Sequence, residues 1–203
     1  RHLKVRPGDA GQPKKSGWET DGISTSGADA YNILIDHCSI TWATDENLSA
    51  SGPRLKGPDS TSHRVMFSNC LIAEGLSHST HSSGEHSKGS LIHDNCRKIV
   101  VKRNLYAHNR GRNPYFKTAA TGIIANNLVY NPGNQAIHSY WVENEWKGHS
   151  EPPPARISIV GNVLVPGPDT DVEAFISANH AELYLKNNQI TDDETKLSMS
   201  SGS

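Results

Sequence analysis

The sequence predicts an all-β fold, a single-stranded parallel β-helix of about seven coils. Three observations carry this prediction. An eight-residue pattern with alternating apolar positions recurs along the chain, an asparagine or a cysteine stands at one fixed position of most copies, and hairpin signals are nearly absent. Because alternate strand residues point to opposite faces, each copy has an apolar face that only a neighbouring copy can bury.

Each copy of the pattern reads as a short strand, a two-residue corner and a second short strand. The corner position favours residues that adopt left-handed backbone geometry and form local hydrogen bonds, which is our explanation for its asparagines. Small, readily buried cysteines would stack at the same position in two copies. The corner residues are Cys38, Cys70, Asn104, Asn127, Asn162 and Asn188.

The spacing of the copies predicts where long loops leave the coils. Six clear copies follow a weaker one at Leu3, and successive copies start 23 to 35 residues apart. The longer gaps predict loops at about 49–62, 73–97, 131–155 and 165–181, which would build a binding face. We expect one domain over 1–203, with coils to about residue 190 and a disordered tail over 191–203.

Composition excludes several classes of protein. The 203 residues carry a formal net charge of −1, which argues against a nucleic-acid partner, and no apolar stretch approaches the length of a membrane span. The 3 cysteines cannot all pair, so a disulfide-stapled fold is excluded. No signal peptide precedes Arg1, and we expect a partial chain that lacks earlier coils and their cap.

Two acidic pairs flank the second coil, Glu19 with Asp21 before it and Asp45 with Glu46 after it. Stacking of coils would bring these carboxylates to neighbouring edges. Clustered carboxylate oxygens are the ligands that Ca²⁺ prefers, so the pairs are candidate calcium ligands. The other interpretation, solvated carboxylates in turns, stays open on spacing alone.

Three histidines, His78, His81 and His86, lie in one loop. Imidazole nitrogens are zinc ligands, but no cysteine lies close by and no HExxH helix is present. We therefore interpret the segment as a polar loop rather than as a zinc site.

A basic set follows this loop. Lys88 precedes the third clear copy, and Arg110, Arg112 and Lys117 come directly after it. In an extended chain, these cations could line a groove for a negatively charged polymer, and together with Ca²⁺ they would clamp the carboxylates of a polyuronate. The alternative is a scatter of surface charges on a neutral protein.

At these residues the sequence resembles the pectate lyases of polysaccharide lyase family 1. The matching segments are IDHCSITWATDENLS, CLIAEGLSHS, and NLYAHNRGRNP followed by NNLVYNPG. They cover about residues 1–135, and the coil pattern extends the resemblance to about 190. The resemblance implies a right-handed parallel β-helix and β-elimination of polygalacturonate, usually with Ca²⁺.

The resemblance also implies roles for single residues. Arg112 opens the family's Arg-x-Pro-x-x-Arg motif and takes the position of the catalytic base. Lys88 takes the position of the family's substrate-binding lysine one coil earlier and is a second catalytic candidate. Lys117 replaces the motif's second arginine, which binds a substrate carboxylate, and lysine keeps the charge there but loses the bidentate fork. Further implied residues are Arg110 and Tyr115 at the substrate, Asp21, Asp45, Glu46 and Glu19 at calcium, and Ser49 where the family has another calcium aspartate.

The implied enzyme is a secreted, monomeric lyase that acts on an acidic polysaccharide, polygalacturonate or pectin, and binds neither nucleic acid nor membrane. Three other readings stay open. A β-helix hydrolase would need a set of acid and base carboxylates, and its usual segments are absent. A pectin lyase would need no calcium, which Asp21 and Asp45 argue against. A non-catalytic or impaired polysaccharide-binding β-helix is favoured by Ser49, Tyr115 and Lys117.

Overall fold

Three parallel sheets run along the molecule, and successive coils add strands to each of them. The computed structural model describes residues 1–191 and 197–202. The strands within these residues are β1 (Lys4–Val5), β2 (Ile23–Ser26), β3 (Tyr31–Asp36), β4 (Ser39–Thr41), β5 (Glu46–Ser51), β6 (His63–Ser68), β7 (Leu71–Ala73), β8 (Lys88–Ile92), β9 (Ile99–Lys102), β10 (Leu105–Ala107), β11 (Tyr115–Lys117), β12 (Thr121–Ala125), β13 (Leu128–Tyr130), β14 (Ile137–Tyr140), β15 (Ala155–Val160), β16 (Val163–Val165), β17 (Ala174–Ala178), β18 (Ala181–Lys186), β19 (Gln189–Ile190) and β20 (Ser198–Ser201).

Every third strand joins the same sheet. Sheet A has the order β1-β4-β7-β10-β13-β16-β19, sheet B the order β2-β5-β8-β11-β14-β17-β20, and sheet C the order β3-β6-β9-β12-β15-β18. Two sheets of 7 strands and one of 6, all paired in parallel, confirm the predicted parallel β-helix and its number of coils. Short 3₁₀ helices interrupt the loops at Arg54–Lys56, Pro58–Ser60 and Glu143–Trp146, and among the described residues no helix is long and apolar enough to cross a membrane.

The core is a stack of inward-facing side chains in register from coil to coil. One row in sheet C runs through five paired strands, and its members are 0 to 8% exposed. The row consists of Ile35, Phe67, Val101, Ile124 and Ile159. Its members come from the predicted repeats, since each copy supplies one inward residue at this level.

The two-residue corners between sheets C and A are present, but the predicted role of their second residue is wrong. The left-handed geometry belongs to the first corner residue, with φ of 53° at Arg103 and 55° at Asn126. The buried asparagine that follows stacks on its equivalent in the next coil, because the Asn104 amide groups donate to Asn127 Oδ1 at 3.0 Å. The cysteines extend this ladder without a disulfide, and Cys38 N donates to Cys70 Sγ at 3.4 Å.

The segments predicted as loops contain three of the seven strands of sheet B. β8 and β14 lie inside the ranges 73–97 and 131–155, and β17 lies inside 165–181. The predicted tail also differs, because β20 pairs with β17 while Leu197 and Met199 pack against the core. Residues 192–196 and 203 of that predicted tail lie outside the described residues. The face predicted to bind a ligand is therefore a sheet with loops at its edge rather than loops alone.

Candidate active site on sheet B

The site begins where β5 starts, next to the segment that precedes β2. Thr20 and Gly22 run alongside this start, since Asp45 N donates to Thr20 O at 3.2 Å and Gly22 N donates to Glu46 O at 2.9 Å. A side chain at Gly22 would collide with the Asn47 carbonyl, so glycine permits the close approach. This approach places the carboxylate of Asp21 beside β5.

Three carboxylates converge there. Asp21, Asp45 and Glu46 each offer an oxygen within 4.8 Å of the others. Asp21 Oδ1 accepts a bond from Glu46 N at 3.2 Å, and its Oδ2 accepts the hydroxyl of Ser49. Burial and the nearby charge of Asp45 raise the pKa of Asp21, because two negative carboxylates close together repel each other. A divalent cation would offset this charge, and the oxygen donors fit Ca²⁺.

Arg112 reaches the same group from the segment before β11. Its guanidinium forms an ion pair with the buried carboxylate of Glu46, while 23% of its own side chain stays exposed. The residue adopts a φ of 61°, a region that non-glycine residues rarely occupy. Burial lowers the pKa of Arg112, although the nearby carboxylates of Asp45 and Asp21 oppose this shift.

Two of the three loop histidines border the carboxylates. His86 Nε2 lies 2.8 Å and His81 Nε2 lies 3.7 Å from Asp45 Oδ1. His78 is exposed, and its backbone forms an isolated antiparallel β-bridge with Glu85. Burial alone would raise the pKa of Asp45, but the hydrogen bond and charge of His86 hold it below its ordinary value. Burial, followed by the charge of His86, lowers the pKa of His81.

Glu19 lies on the histidine side rather than among the three carboxylates. Its Oε1 accepts the amide of Ser82 at 3.0 Å and lies 3.6 Å from His81 Nε2. The bonds from Ser82 lower the pKa of Glu19. Of the four predicted calcium ligands, the structure therefore brings together Asp21, Asp45 and Glu46 and separates Glu19 from them.

Two further predicted cations, Lys88 and Arg110, lie on this side. Lys88 opens β8, in register with Glu46 of β5 and in a parallel bridge with Gly111. Burial, followed by the charge of Arg110, lowers the pKa of Lys88. Arg110 itself is half-exposed and pairs with Glu85 at 3.2 Å.

Lys117 and Tyr115 present little surface to a substrate. Lys117 is 4% exposed and pairs with Glu145 and, at 3.6 Å, with Asp94. Tyr115 is 7% exposed, stacks on the His138 ring at 4.3 Å and donates its hydroxyl to the Tyr140 carbonyl at 3.1 Å. Two of the three residues predicted to bind substrate are therefore occupied by neighbours in this structure, whereas Arg110 keeps an exposed side chain.

Sequence reasoning missed the partners that occupy Lys117. Arg54 donates to Asp94 and pairs with Glu145, each at 2.9 Å, and Trp146 Nε1 donates to Asp94 at 3.0 Å. No motif marks these residues, because they come from three loops whose packing the repeat pattern does not describe. The histidine pair did carry a signal, the spacing His81-x-x-x-x-His86 directly before β8.

Comparison with known proteins confirms the resemblance seen in the sequence. No protein-family model matches the chain. Proteins named probable pectate lyase C are 31% identical to it over 195 residues in Aspergillus flavus and in Emericella nidulans, and 30% identical in Aspergillus oryzae. Each alignment covers 96% of this chain. The chain spans only 38 to 39% of the length of these relatives.

Proposed function

The chain is a relative of the pectate lyases, and on that premise we propose that it cleaves polygalacturonate by calcium-assisted β-elimination. The products would be 4,5-unsaturated oligogalacturonides. One observation carries the proposal: Arg112 forms an ion pair with Glu46, which lies in one group with Asp21 and Asp45. A candidate base and a candidate calcium site thus share one edge of sheet B. We propose further that the enzyme is a secreted monomer, since pectin polymers lie outside the cell.

The residues would divide the reaction between them. Asp21, Asp45 and Glu46 would hold Ca²⁺, which would supply positive charge to offset the negative charge that develops on the substrate carboxylate. Arg112 would take the proton from C5, the electron pair left on C5 would form the C4–C5 double bond as the C4–O4 bond breaks, and the leaving O4 would take a proton from water. Lys88 would place a second positive charge against the same intermediate.

Arginine as a base implies an alkaline optimum, because its guanidinium is ordinarily protonated in proteins. Burial lowers the pKa of Arg112, and below that pKa the deprotonated fraction rises about tenfold for each pH unit. Activity is therefore expected to increase with pH above neutrality. A rate profile with its maximum below pH 7 would contradict the assignment.

The direct test is incubation with polygalacturonate, first with Ca²⁺ and then with a chelator, while ultraviolet absorbance of the unsaturated product is followed. Absorbance that needs Ca²⁺ supports the lyase. New reducing ends without this absorbance would indicate a hydrolase instead. Because the relatives are longer than this chain, the assay is best run on both this chain and the longest soluble form of the protein.

Ser49, whose hydroxyl donates to Asp21 where the family has another calcium aspartate, favours a second candidate, a polysaccharide-binding β-helix without catalysis. Such a protein would retain polygalacturonate on a column or in a gel-shift assay but produce neither unsaturated ends nor new reducing ends. A calcium-dependent rise in absorbance would exclude it.

A further inference from the structure

His81 and His86 both place a ring nitrogen close to one carboxylate oxygen of Asp45. The two rings stack with centroids 3.6 Å apart and planes 10° from parallel, and each residue is 7% exposed. Both Nε2 atoms face Oδ1 of Asp45, so one atom of each residue lies within 4.8 Å of the others. Three ligand-type atoms, one from the residue directly before β5 and two from the loop before β8, thus converge in a largely buried position.

The donor set differs from that of the neighbouring carboxylates. Ca²⁺ takes oxygen ligands, whereas two imidazoles and one carboxylate are typical of zinc with an open fourth position. We propose that Asp45, His81 and His86 form a zinc site beside the three carboxylates, with Asp45 common to both. Glu19, whose Oε1 is 3.6 Å from His81 Nε2, lies close to this site.

Without a metal ion, His81 has a hydrogen bond that zinc binding would have to break. His81 Nδ1 accepts the Ser83 amide at 3.1 Å, so the neutral ring carries its proton on Nε2. Zinc at Nε2 requires that proton on Nδ1, and the Ser83 amide then exchanges its bond for one to water. Ser83 is exposed, which makes this exchange available without a buried unpaired amide.

The shared carboxylate couples this site to its neighbour. Zinc bound through Asp45 removes one ligand from the group of Asp21, Asp45 and Glu46. If the proposed lyase activity holds, zinc inhibits it in competition with Ca²⁺. This consequence depends on the proposed function, whereas zinc binding itself does not.

The test measures binding without substrate on tag-free protein. Calorimetric titration with Zn²⁺ should give one equivalent bound, and Co²⁺ as a spectroscopic substitute should give absorption bands of nitrogen and oxygen ligation without thiolate charge transfer. His81→Gln, His86→Gln and Asp45→Asn should each weaken binding by at least about tenfold, the lower end of what loss of an outer-shell partner costs. His78→Gln, in the same loop but exposed, is the matched control and should bind as the parent does.

Three outcomes would overturn the site: no binding at micromolar Zn²⁺, unchanged affinity in all three variants, or thiolate bands that point to the buried cysteines. Circular dichroism confirms that each variant is folded, and three independent variants keep the test decisive if one is not. Because no substrate is present, failure here is distinct from failure of the proposed lyase. Relief of zinc inhibition in His86→Gln is then a separate measurement.

Discussion

Arg112 and Lys117 lie five residues apart in the sequence, yet they differ in their exposure to solvent and in the balance of charges around them. Arg112 pairs with Glu46 at the edge of a carboxylate group whose other members, Asp21 and Asp45, are partly exposed. Lys117 is enclosed by Asp94, which is 1% exposed, and by Glu145. The first arrangement has more carboxylates than cations, and the second joins two carboxylates to two cations once Arg54 is included.

The group around Arg112 can therefore accept a further cation, whereas the charges around Lys117 are already paired with one another. Among the described residues Asp21 forms no ion pair and Asp45 pairs only with histidines, and this excess of negative charge favours a bound metal ion. The exposed part of Arg112 can meet a substrate. Around Lys117, every charge has a partner inside the protein, and burial makes those pairs costly to break. The predictions below probe this contrast from the larger effect to the smaller.

The largest effect is expected from Arg112→Lys, which keeps the positive charge opposite Glu46. Removal of a general base lowers rates by about 10²- to 10⁴-fold, so lyase activity should fall at least about 100-fold while the fold is retained. Initial rates of unsaturated product measure the loss. Arg156→Lys is the matched control, since Arg156 is exposed and pairs with Glu182 on sheet C. Activity within tenfold of the parent would remove Arg112 from the role of base.

A matched pair of aspartates tests the contrast in stability. Asp94→Asn leaves Lys117 and Arg54 without a buried carboxylate and should lower the free energy of unfolding by about 3 kcal/mol. Asp45→Asn should cost less than about 1 kcal/mol, because 29% of that side chain is exposed and its loss relieves repulsion with Asp21. Urea denaturation without metal compares the two. Equal losses of unfolding free energy in the two variants would show that Asp45 is as tightly paired as Asp94 and would contradict the contrast.

His138, which stacks on Tyr115 between the two regions, links stability to pH. Burial lowers the pKa of His138 to about 3. The unfolded chain binds a proton near pH 6.5 while the folded ring stays neutral, so stability is complete above that pH and falls below it. The loss from this ring should be about 2 kcal/mol at pH 5. His138→Phe keeps an aromatic stack and should flatten the dependence of unfolding free energy on pH between 6.5 and 5; an unchanged slope would contradict this account.

The repeat pattern predicted sheets C and A because their strands place an inward apolar residue at the same level in every coil, as at Phe67 and Val101. Sheet B escaped notice because its strands lack a regular apolar alternation. β8 reads KGSLI and β11 reads YFK, with no clear alternation. The corner asparagines were located correctly, but their ladder across coils depends on a buried position that the sequence alone does not mark.

The site was predicted in part for a related reason. Resemblance to a family supplied Arg112, Asp21 and Asp45 as candidates one residue at a time. The contacts between them depend on the register of β2, β5 and β8, which stacks Glu46 on Lys88. The enclosure of Lys117 depends on loops 54–60 and 143–147, where no repeat operates. Register and loop packing are the properties that a one-dimensional pattern leaves undetermined.

The smallest effect is expected from removing one of the carboxylates that pair with Lys117. Glu145→Gln removes the exposed member of the pairs that hold Lys117 and Arg54, and a uronate carboxylate of the substrate can then take its place. Affinity for polygalacturonate should rise about fivefold, equivalent to about 1 kcal/mol for one partly exposed charge pair. Binding of oligogalacturonate by calorimetry measures it whether or not the chain is catalytic. Glu143→Gln, in the same 3₁₀ helix, is the control. Unchanged or weaker binding in Glu145→Gln would mean that Lys117 is a structural cation, and that the substrate contacts sheet B only on the side of Arg112.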